Sequence, residues 1–241
     1  MRYAAPVQHH LTENTLRGLS AAIVDLDGTL VDTVGDFVVA LGAMATDLGV
    51  AAPTAAFVRR TVGKGSEHLI SRALAEAGAP ASRFDEAWAS YQHHYRRING
   101  RHSQVFEGAQ AGLAALAAQG LVLVCLTNKP GAFARPLLEA KGLARWFTHV
   151  FGGDAFARKK PDPLPLLEVC RLLGRAPAEV LMVGDSSNDA AAARAAGCPV
   201  VLLRHGYNHG EPVEAAGADA VLDRLDELPP LLAAARSAHR A

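Results

Sequence analysis

Two aspartates, Asp25 and Asp27, end a short apolar run near the start of the chain, in the stretch AAIVDLDGTLVDT. Alternate side chains of a strand point to the same side, so the two carboxylates face one way while Leu26 faces the other. Two like charges held this close repel each other unless a cation or a shared proton relieves them. The pair therefore predicts a site that binds a cation or handles protons.

Two further apolar runs end in polar residues. LVLVCLT leads to Thr127 and Asn128, and EVLMVGD leads to Asp185. Parallel strands end at one edge of a sheet, where open α/β folds bind their ligands, so we expect these side chains to meet the two aspartates there. Several carboxylates with oxygen-only ligands favour Mg²⁺ over zinc. The loop RKKPDP adds Lys159 and Lys160, and a lysine there is suited to offset the charge of a transferring phosphoryl group.

The elements that must hold these residues follow from the pattern of apolar runs. Short, almost wholly apolar runs are typical of strands buried on both faces of a parallel sheet. Helical stretches separate the later runs, and several end at a glycine suited to a helix C-terminus. This alternation predicts an α/β fold with a doubly wound parallel sheet, a Rossmann-like core. The predicted strands are 21–26, 121–127, 179–185, 199–203 and, more weakly, 219–222.

One segment interrupts this alternation. Residues 33–102 contain no comparable strand run, only stretches with apolar residues at helical spacing, such as GDFVVALGAMATDLGV. An insertion directly after the first strand stands over the ligand-binding edge of the sheet. We therefore predict an α/β catalytic core at 1–32 and 103–241, with an inserted all-helical cap domain at 33–102.

Composition excludes several classes of function. The chain has 241 residues with 24 Lys+Arg and 24 Asp+Glu, so no global field attracts nucleic acid or an anionic membrane. The basic stretch YQHHYRRINGRH is short and is better interpreted as a solvated cap helix. No apolar stretch approaches the roughly 18–20 residues of a membrane span. We expect a cytoplasmic protein whose partner is a small metabolite; monomer and homodimer stay equally open.

The cysteines and the N-terminal stretch give weaker expectations. The three cysteines are widely spaced without a CxxC pair, which indicates reduced thiols and no zinc site. The first twenty residues lack a secretory signal and are expected to be a loosely ordered lead-in to the first strand. His205 and His209 lie four apart between glycines, which favours a loop bordering the site over a metal pair.

Four segments, in order, resemble the motifs of the haloacid dehalogenase superfamily in its phosphatase branch: DLDGTLVDT, LTNKP, KKPDP and GDSSND. The longer stretches TNKPGAFARPLLEAKGL, FGGDAFARKKPDPLPLL and HGYNHGEPV resemble the family of bacterial phosphoglycolate phosphatases. The resemblance covers nearly the whole chain after residue 20. It implies an Mg²⁺-dependent enzyme that hydrolyses a small phosphorylated acid, with 2-phosphoglycolate as the expected substrate.

The resemblance also implies roles for individual residues. Asp25 would be the nucleophile that forms an aspartyl-phosphate, and Asp27 would be the general acid and later the general base. Thr127 and Asn128 would hold the phosphoryl oxygens, and Lys160 would stabilise the charge shared between the phosphate and Asp25. The implied metal ligands are Asp25, the backbone carbonyl of Asp27, and Asp185. The implied supporting residues are Asp189, Gly28 and Thr29.

The predicted cap carries the stretch TVGKGSE at 61–67, where Lys64 is a candidate for binding a substrate carboxylate. An exposed lysine in a turn is an equally good interpretation. Other chemistries stay open: a phosphomutase related to β-phosphoglucomutase, a sugar-phosphate phosphatase, and a phosphonatase that uses Lys64 as a Schiff-base amine. The last is disfavoured because Asp27 is present, and dehalogenase chemistry is disfavoured because the metal ligands would be superfluous. A non-catalytic binding module would not need Asp25 and Asp185.

Overall fold

The structure is a computed structural model that describes residues 11–238. Its strands are β1 (Ala21–Val24), β2 (Val31–Asp32), β3 (Gln104–Val105), β4 (Val122–Leu126), β5 (His149–Phe151), β6 (Val180–Gly184), β7 (Val200–Leu203) and β8 (Ala220–Leu222). Its α-helices are α1 (Glu13–Gly18), α2 (Val34–Leu48), α3 (Ala55–Thr61), α4 (Ser66–Glu76), α5 (Phe84–Ile98), α6 (Ala109–Ala118), α7 (Gly131–Ala140), α8 (Leu164–Leu173), α9 (Ser187–Ala196) and α10 (Leu228–Ser237).

A six-stranded parallel sheet in the order β5-β4-β1-β6-β7-β8 forms the centre of the core. Every residue of β1 is buried, because alternate side chains enter cores on opposite faces. Ala22 and Val24 join the apolar cluster formed with α1, α6, α7 and α10. Ala21 and Ile23 join the cluster formed with α8 and α9. The predicted doubly wound parallel sheet is therefore confirmed.

The insertion after β1 is a four-helix cap, as the predicted fold class requires. Helices α2 to α5 pack around their own apolar cluster, which includes Tyr91 and Tyr95. Phe133 and Tyr207 of the α/β core join the same cluster, so the cap packs directly on the core. The two ends of the insertion are tied together by Asp36, whose buried carboxylate accepts hydrogen bonds from the backbone N–H groups of Gly100 at 2.8 Å and His102 at 2.7 Å.

Some elements differ from the sequence prediction. The expected lead-in contains the helix α1, capped by Thr12, and its Leu16 is buried in the core; the expectation of a loosely ordered segment is wrong there, while residues 1–10 lie outside the described part. The edge strand β5 was not predicted, because it is only three residues long and partly exposed. The antiparallel pair β2–β3 was also missed, since two-residue strands leave no periodicity to detect. None of the helices described in residues 11–238 is long and apolar enough to cross a membrane.

Candidate active site

The polar residues that follow the strands meet at the carboxyl edge of the sheet. Asp25 follows β1 directly, Thr127 follows β4 and Asp185 follows β6, and β1 lies between the other two strands. All three side chains are buried. Carboxylate oxygens of Asp25, Asp185 and Asp189 lie within 4.8 Å of one another. The parallel topology thus assembles the residues that the sequence separates widely.

Lys160 pairs with two members of this acidic cluster, and only 2% of its side chain is exposed. Its Nζ donates hydrogen bonds to Asp189 Oδ1 at 2.7 Å and to the Leu126 carbonyl at 3.0 Å. The same ammonium lies 3.1 Å from Asp25 Oδ1. Burial alone would lower the pKa of Lys160, but the charges of Asp189 and Asp25 raise it above its ordinary value. Lys160 therefore stays protonated beside Asp25.

Asp185 is oriented by two hydrogen bonds and by two glycines that pack closely against it. Its Oδ1 accepts a hydrogen bond from the Thr29 hydroxyl at 2.7 Å, and its Oδ2 accepts one from the backbone N–H of Tyr207 at 2.7 Å. A Cβ at Gly28, which has φ 88°, would lie 2.3 Å from Asp185 Oδ2, and one at Gly206 would lie 2.1 Å from Asp185 Cβ. Only glycine fits at these two positions, so the DGT and HGY segments together orient the carboxylate.

Asp189 is fully engaged at the start of α9. Its Oδ2 accepts hydrogen bonds from the backbone N–H groups of Asp185 and Ser186 and from the Ser186 hydroxyl, while Oδ1 takes the Lys160 ammonium. This is a capping box, in which the helix end and the site share one carboxylate. The geometry leaves Asp25 and Asp185 as the carboxylates with free ligand capacity.

The donor set fits a hard divalent cation. Only oxygen ligands are gathered, and burial raises the pKa of Asp25 to about 6, against the opposing charge of Lys160. Burial, followed by the charges of Asp189 and Asp25, raises the pKa of Asp185 well above its ordinary value. Both shifts show that one buried lysine does not balance these carboxylates, whereas a divalent cation would.

Asp27 points to a different part of the site. Lys129 Nζ donates hydrogen bonds to its Oδ1 at 3.0 Å and its Oδ2 at 3.2 Å. Lys129 also donates to the Tyr95 hydroxyl at 2.6 Å and lies over the rings of Phe37 and Tyr95, 4.6 and 4.9 Å from their centroids. Phe37 is on α2 and Tyr95 on α5, so this lysine connects a core carboxylate to the cap. The sequence reasoning missed Lys129, although it stands inside the motif LTNKP.

Asn128 joins the cap loop to the core. Its Nδ2 donates to the Gly63 carbonyl at 2.9 Å and to the Lys160 carbonyl at 2.8 Å. Asn188, a second core residue that was not predicted, donates to the same Gly63 carbonyl at 3.3 Å. Thr127 precedes Asn128 in the chain, and its Oγ1 accepts a hydrogen bond from the backbone N–H of Lys129 at 3.2 Å. The cap loop, residues 61–67, therefore contacts the motif that follows β4.

A small pocket lies between these groups. Asp25, Asp27, Thr127, Asn128 and Lys129 form its core wall, and the cap covers it. The residues of the cap that line the pocket are Phe37, Val62, Gly63, Gly65, Ser66 and Leu69. This pocket, called the catalytic pocket below, is polar on the core side and mostly apolar on the cap side. It suits a small ligand whose polar end faces the core.

Lys64 lines a different pocket from the one over Asp25. Its neighbours there include Arg60, His68, Arg72 and His209. Burial, and then the charge of Lys64, lowers the pKa of His68 and of His209 below the ordinary value. The predicted contact between Lys64 and a substrate carboxylate stays a prediction, and Lys64 is exposed.

The fold, the four ordered motifs and the buried carboxylates define a class of protein. Residues 19–197 match the family of haloacid dehalogenase-like hydrolases, and the chain belongs to that family. The resemblance inferred from the motifs is thereby confirmed, and so is the inserted cap of the predicted fold class.

Among relatives, the chain is 43% identical over 212 residues to the phosphoglycolate phosphatase of Thiobacillus denitrificans, with 87% of this chain and 93% of the relative covered. It is 46% identical over 220 residues to the plasmid phosphoglycolate phosphatase of Cupriavidus necator, covering 91% of this chain and 95% of the relative. The crystal structure of a predicted phosphoglycolate phosphatase from Haemophilus somnus 129pt superposes with a TM-score of 0.84 at 29% identity, covering 89% and 98% of the two chains. The predicted enzyme class, a phosphoric monoester hydrolase, is confirmed.

Proposed function

We propose that this enzyme is an Mg²⁺-dependent phosphatase that hydrolyses 2-phosphoglycolate to glycolate and phosphate through an aspartyl-phosphate on Asp25. The observation that carries the proposal is the buried cluster of Asp25, Asp185 and Asp189, two of which pair with Lys160, at the edge of the sheet and under a cap. The relatives named as phosphoglycolate phosphatases, matched over most of both chains, support the choice of substrate.

In the first half-reaction, an oxygen of the Asp25 carboxylate attacks phosphorus, and the bond between phosphorus and the glycolate oxygen breaks. Asp27 gives its proton to that oxygen, so glycolate leaves as the alcohol. In the second half-reaction, Asp27 takes a proton from water as the water oxygen attacks phosphorus. Phosphate leaves and the Asp25 carboxylate is restored.

The phosphoryl group is held by Thr127, Asn128 and Lys160. Lys160 supports this assignment because its ammonium, 3.1 Å from Asp25 Oδ1, lies where negative charge is shared between the nucleophile and the phosphoryl oxygens. Fixed donors in a buried site stabilise such charge more than water does. The hydrogen bond from Asn128 to the cap loop adds a link between phosphate binding and the position of the cap.

Asp25, the backbone carbonyl of Asp27, and Asp185 are the proposed Mg²⁺ ligands. The cation would neutralise charge and orient the phosphate, so that a carboxylate can approach a phosphate dianion. Gly28 and Thr29 support the site by fitting around Asp185, and Asp189 supports it by holding Lys160.

We further propose the division into an α/β core at 1–32 and 103–241 and a cap at 33–102 that excludes water from the pocket. Cap contacts to Asn128 and Asn188 support a closed arrangement over the site. Three buried free cysteines support a reducing compartment, the cytoplasm. The proposed ligand is a small phosphorylated metabolite rather than a nucleic acid or a membrane.

The test compares kcat/KM for 2-phosphoglycolate, hexose phosphates, nucleoside monophosphates and phosphonoacetaldehyde, with Mg²⁺ and with EDTA. We expect 2-phosphoglycolate to be preferred and EDTA to abolish turnover. A hexose phosphate preferred by about tenfold or more, worth ~1.4 kcal/mol in the transition state, would replace the substrate assignment with a sugar-phosphate phosphatase. Isomerised hexose product that depends on a bisphosphate would identify a phosphomutase instead.

A further inference from the structure

Lys129 is a buried cation in the catalytic pocket that the proposed chemical steps do not use. Its side chain is 2% exposed and is enclosed by Asp27 from the core and by Phe37 and Tyr95 from the cap. A buried ammonium is costly unless it is paired, so its position in the pocket needs a reason beyond solubility.

The position of Lys129 relative to Asp27 supplies that reason. Asp27 must reach the oxygen that leaves with the organic product. In 2-phosphoglycolate, the carbon bearing that oxygen also carries the carboxylate, so this carboxylate must lie close to Asp27. Lys129 Nζ lies 3.0 and 3.2 Å from the two oxygens of Asp27. An anionic group next to the leaving oxygen therefore comes within reach of Lys129.

Lys129 has no competing cation among the described residues around the pocket. Among the described residues that line it, Lys129 is the one with a positively charged side chain. Lys160 is not among the residues that line this pocket, and Lys64 lines the neighbouring one. Helix α4 begins at Ser66 against the same pocket, so the positive end of its dipole adds to the field of Lys129.

We propose that Lys129 binds the carboxylate of the leaving group and thereby selects phosphorylated acids over neutral phosphoesters. This inference rests on the proposed function and names the residue that gives it its substrate class. Tyr95 and Phe37 position the ammonium from the cap side, so recognition of the leaving group and closure of the cap involve the same side chain.

The test measures the preference for the acid over its uncharged analogue, as the ratio of their kcat/KM values. Wild type, Lys129→Met and Lys64→Met are assayed in Mg²⁺ with 2-phosphoglycolate and with its carboxamide, 2-phosphoglycolamide, which lacks the charge but keeps the shape. We expect Lys129→Met to lower the preference for the acid by about tenfold or more, and Lys64→Met to leave the preference intact. The proposal would be overturned if only Lys64→Met lost the preference for the acid. It would also be overturned if Lys129→Met lowered kcat/KM equally for the acid and the amide.

A binding measurement removes the dependence on turnover. In the Asp25→Asn background, the dissociation constants of the acid and the amide are compared with and without Lys129→Met, and Lys129→Gln serves if the methionine variant does not fold. The expected result is weaker binding of the acid alone; equal weakening of both ligands contradicts the assignment. Failure of the proposed function is seen separately, because wild type would then show no preference for 2-phosphoglycolate in the substrate panel.

Discussion

The two halves of the catalytic pocket are built around two buried lysines with different partners. On the core side, Lys160 contacts Asp25 and Asp189, and every contact comes from the α/β core. On the cap side, Lys129 contacts Asp27 but also Tyr95 and Phe37 of the cap helices. Asp25 and Asp27 are only two residues apart, yet they belong to different networks. In the proposed function, the core half serves the phosphoryl group and the cap half serves the leaving group.

The largest expected effect is on the core half. Asp25→Asn removes the proposed nucleophile, and we expect kcat for phosphate release to fall by about 10⁴-fold or more. The Tm should not fall, because the neutral amide replaces a carboxylate whose burial is unfavourable. A steady-state assay and a thermal melt check this. Turnover that survives in Asp25→Asn would place the nucleophile elsewhere.

The two lysines allow a matched comparison with p-nitrophenyl phosphate, whose leaving group carries no carboxylate. Lys160→Met should lower kcat by about 10³-fold, since it removes a donor for transition-state charge. Lys129→Met should lower kcat by only about tenfold, through the loss of the charge-assisted hydrogen bonding to Asp27. An equal fall of kcat in the two variants would mean that the core and cap halves of the pocket are not functionally distinct.

Metal binding gives a smaller effect that is seen in stability. Burial raises the pKa of Asp25 from 3.8 to about 6 in the metal-free protein, so the folded state binds more protons than the unfolded state between these values. The metal-free protein therefore loses stability as pH rises through that window, and Asp185 shifts in the same direction. Mg²⁺ at about one hundred times its Kd should add about 2.7 kcal/mol.

In Tm, that gain corresponds to about 5–10 °C for a chain of this size. The shift should be larger at pH 8 than at pH 5, where protons compete with the cation for the carboxylates. Differential scanning fluorimetry at the two pH values measures it, with Asp185→Asn as the control that reduces the shift. A shift of equal size at both pH values would contradict the electrostatic account.

The smallest effect concerns the support of the cap half. Tyr95→Phe removes the hydroxyl that accepts from Lys129 at 2.6 Å but keeps the ring that packs against Phe37. We expect a loss of about 1 kcal/mol in transition-state binding of 2-phosphoglycolate and almost no change with p-nitrophenyl phosphate. Measured kcat/KM values for the two substrates test this. Equal losses on both would assign Tyr95 to general stability of the cap.

The same contrast explains how much of the molecule could be predicted from the sequence. The core half follows from local patterns, because each polar group stands at the end of an apolar run and parallel strands end together. Lys160 is recognisable from its proline-rich loop, and the order of the four motifs along the chain is enough to indicate the family.

The cap half was not predictable in the same way. Lys129 stands inside the motif LTNKP, but nothing in its neighbourhood shows that α2 and α5 enclose it, because those contacts join residues far apart in the chain. From the sequence, Lys64 was a candidate for binding the carboxylate because it lies between two glycines in the cap loop, with an exposed turn lysine as an equally good interpretation. The backbone of that loop, through the Gly63 carbonyl, contacts the core, whereas the Lys64 side chain lines another pocket.

The most direct test of the account is to trap the covalent intermediate. The wild-type enzyme with Mg²⁺ is mixed with 2-phosphoglycolate, quenched in acid within the first turnover, digested and analysed by mass spectrometry. A covalent mechanism predicts one added phosphoryl group on the peptide that contains Asp25, with one equivalent of glycolate released before phosphate. Phosphate released at the same rate as glycolate with no phosphoryl group on the protein, or a phosphoryl group on another residue, would contradict it.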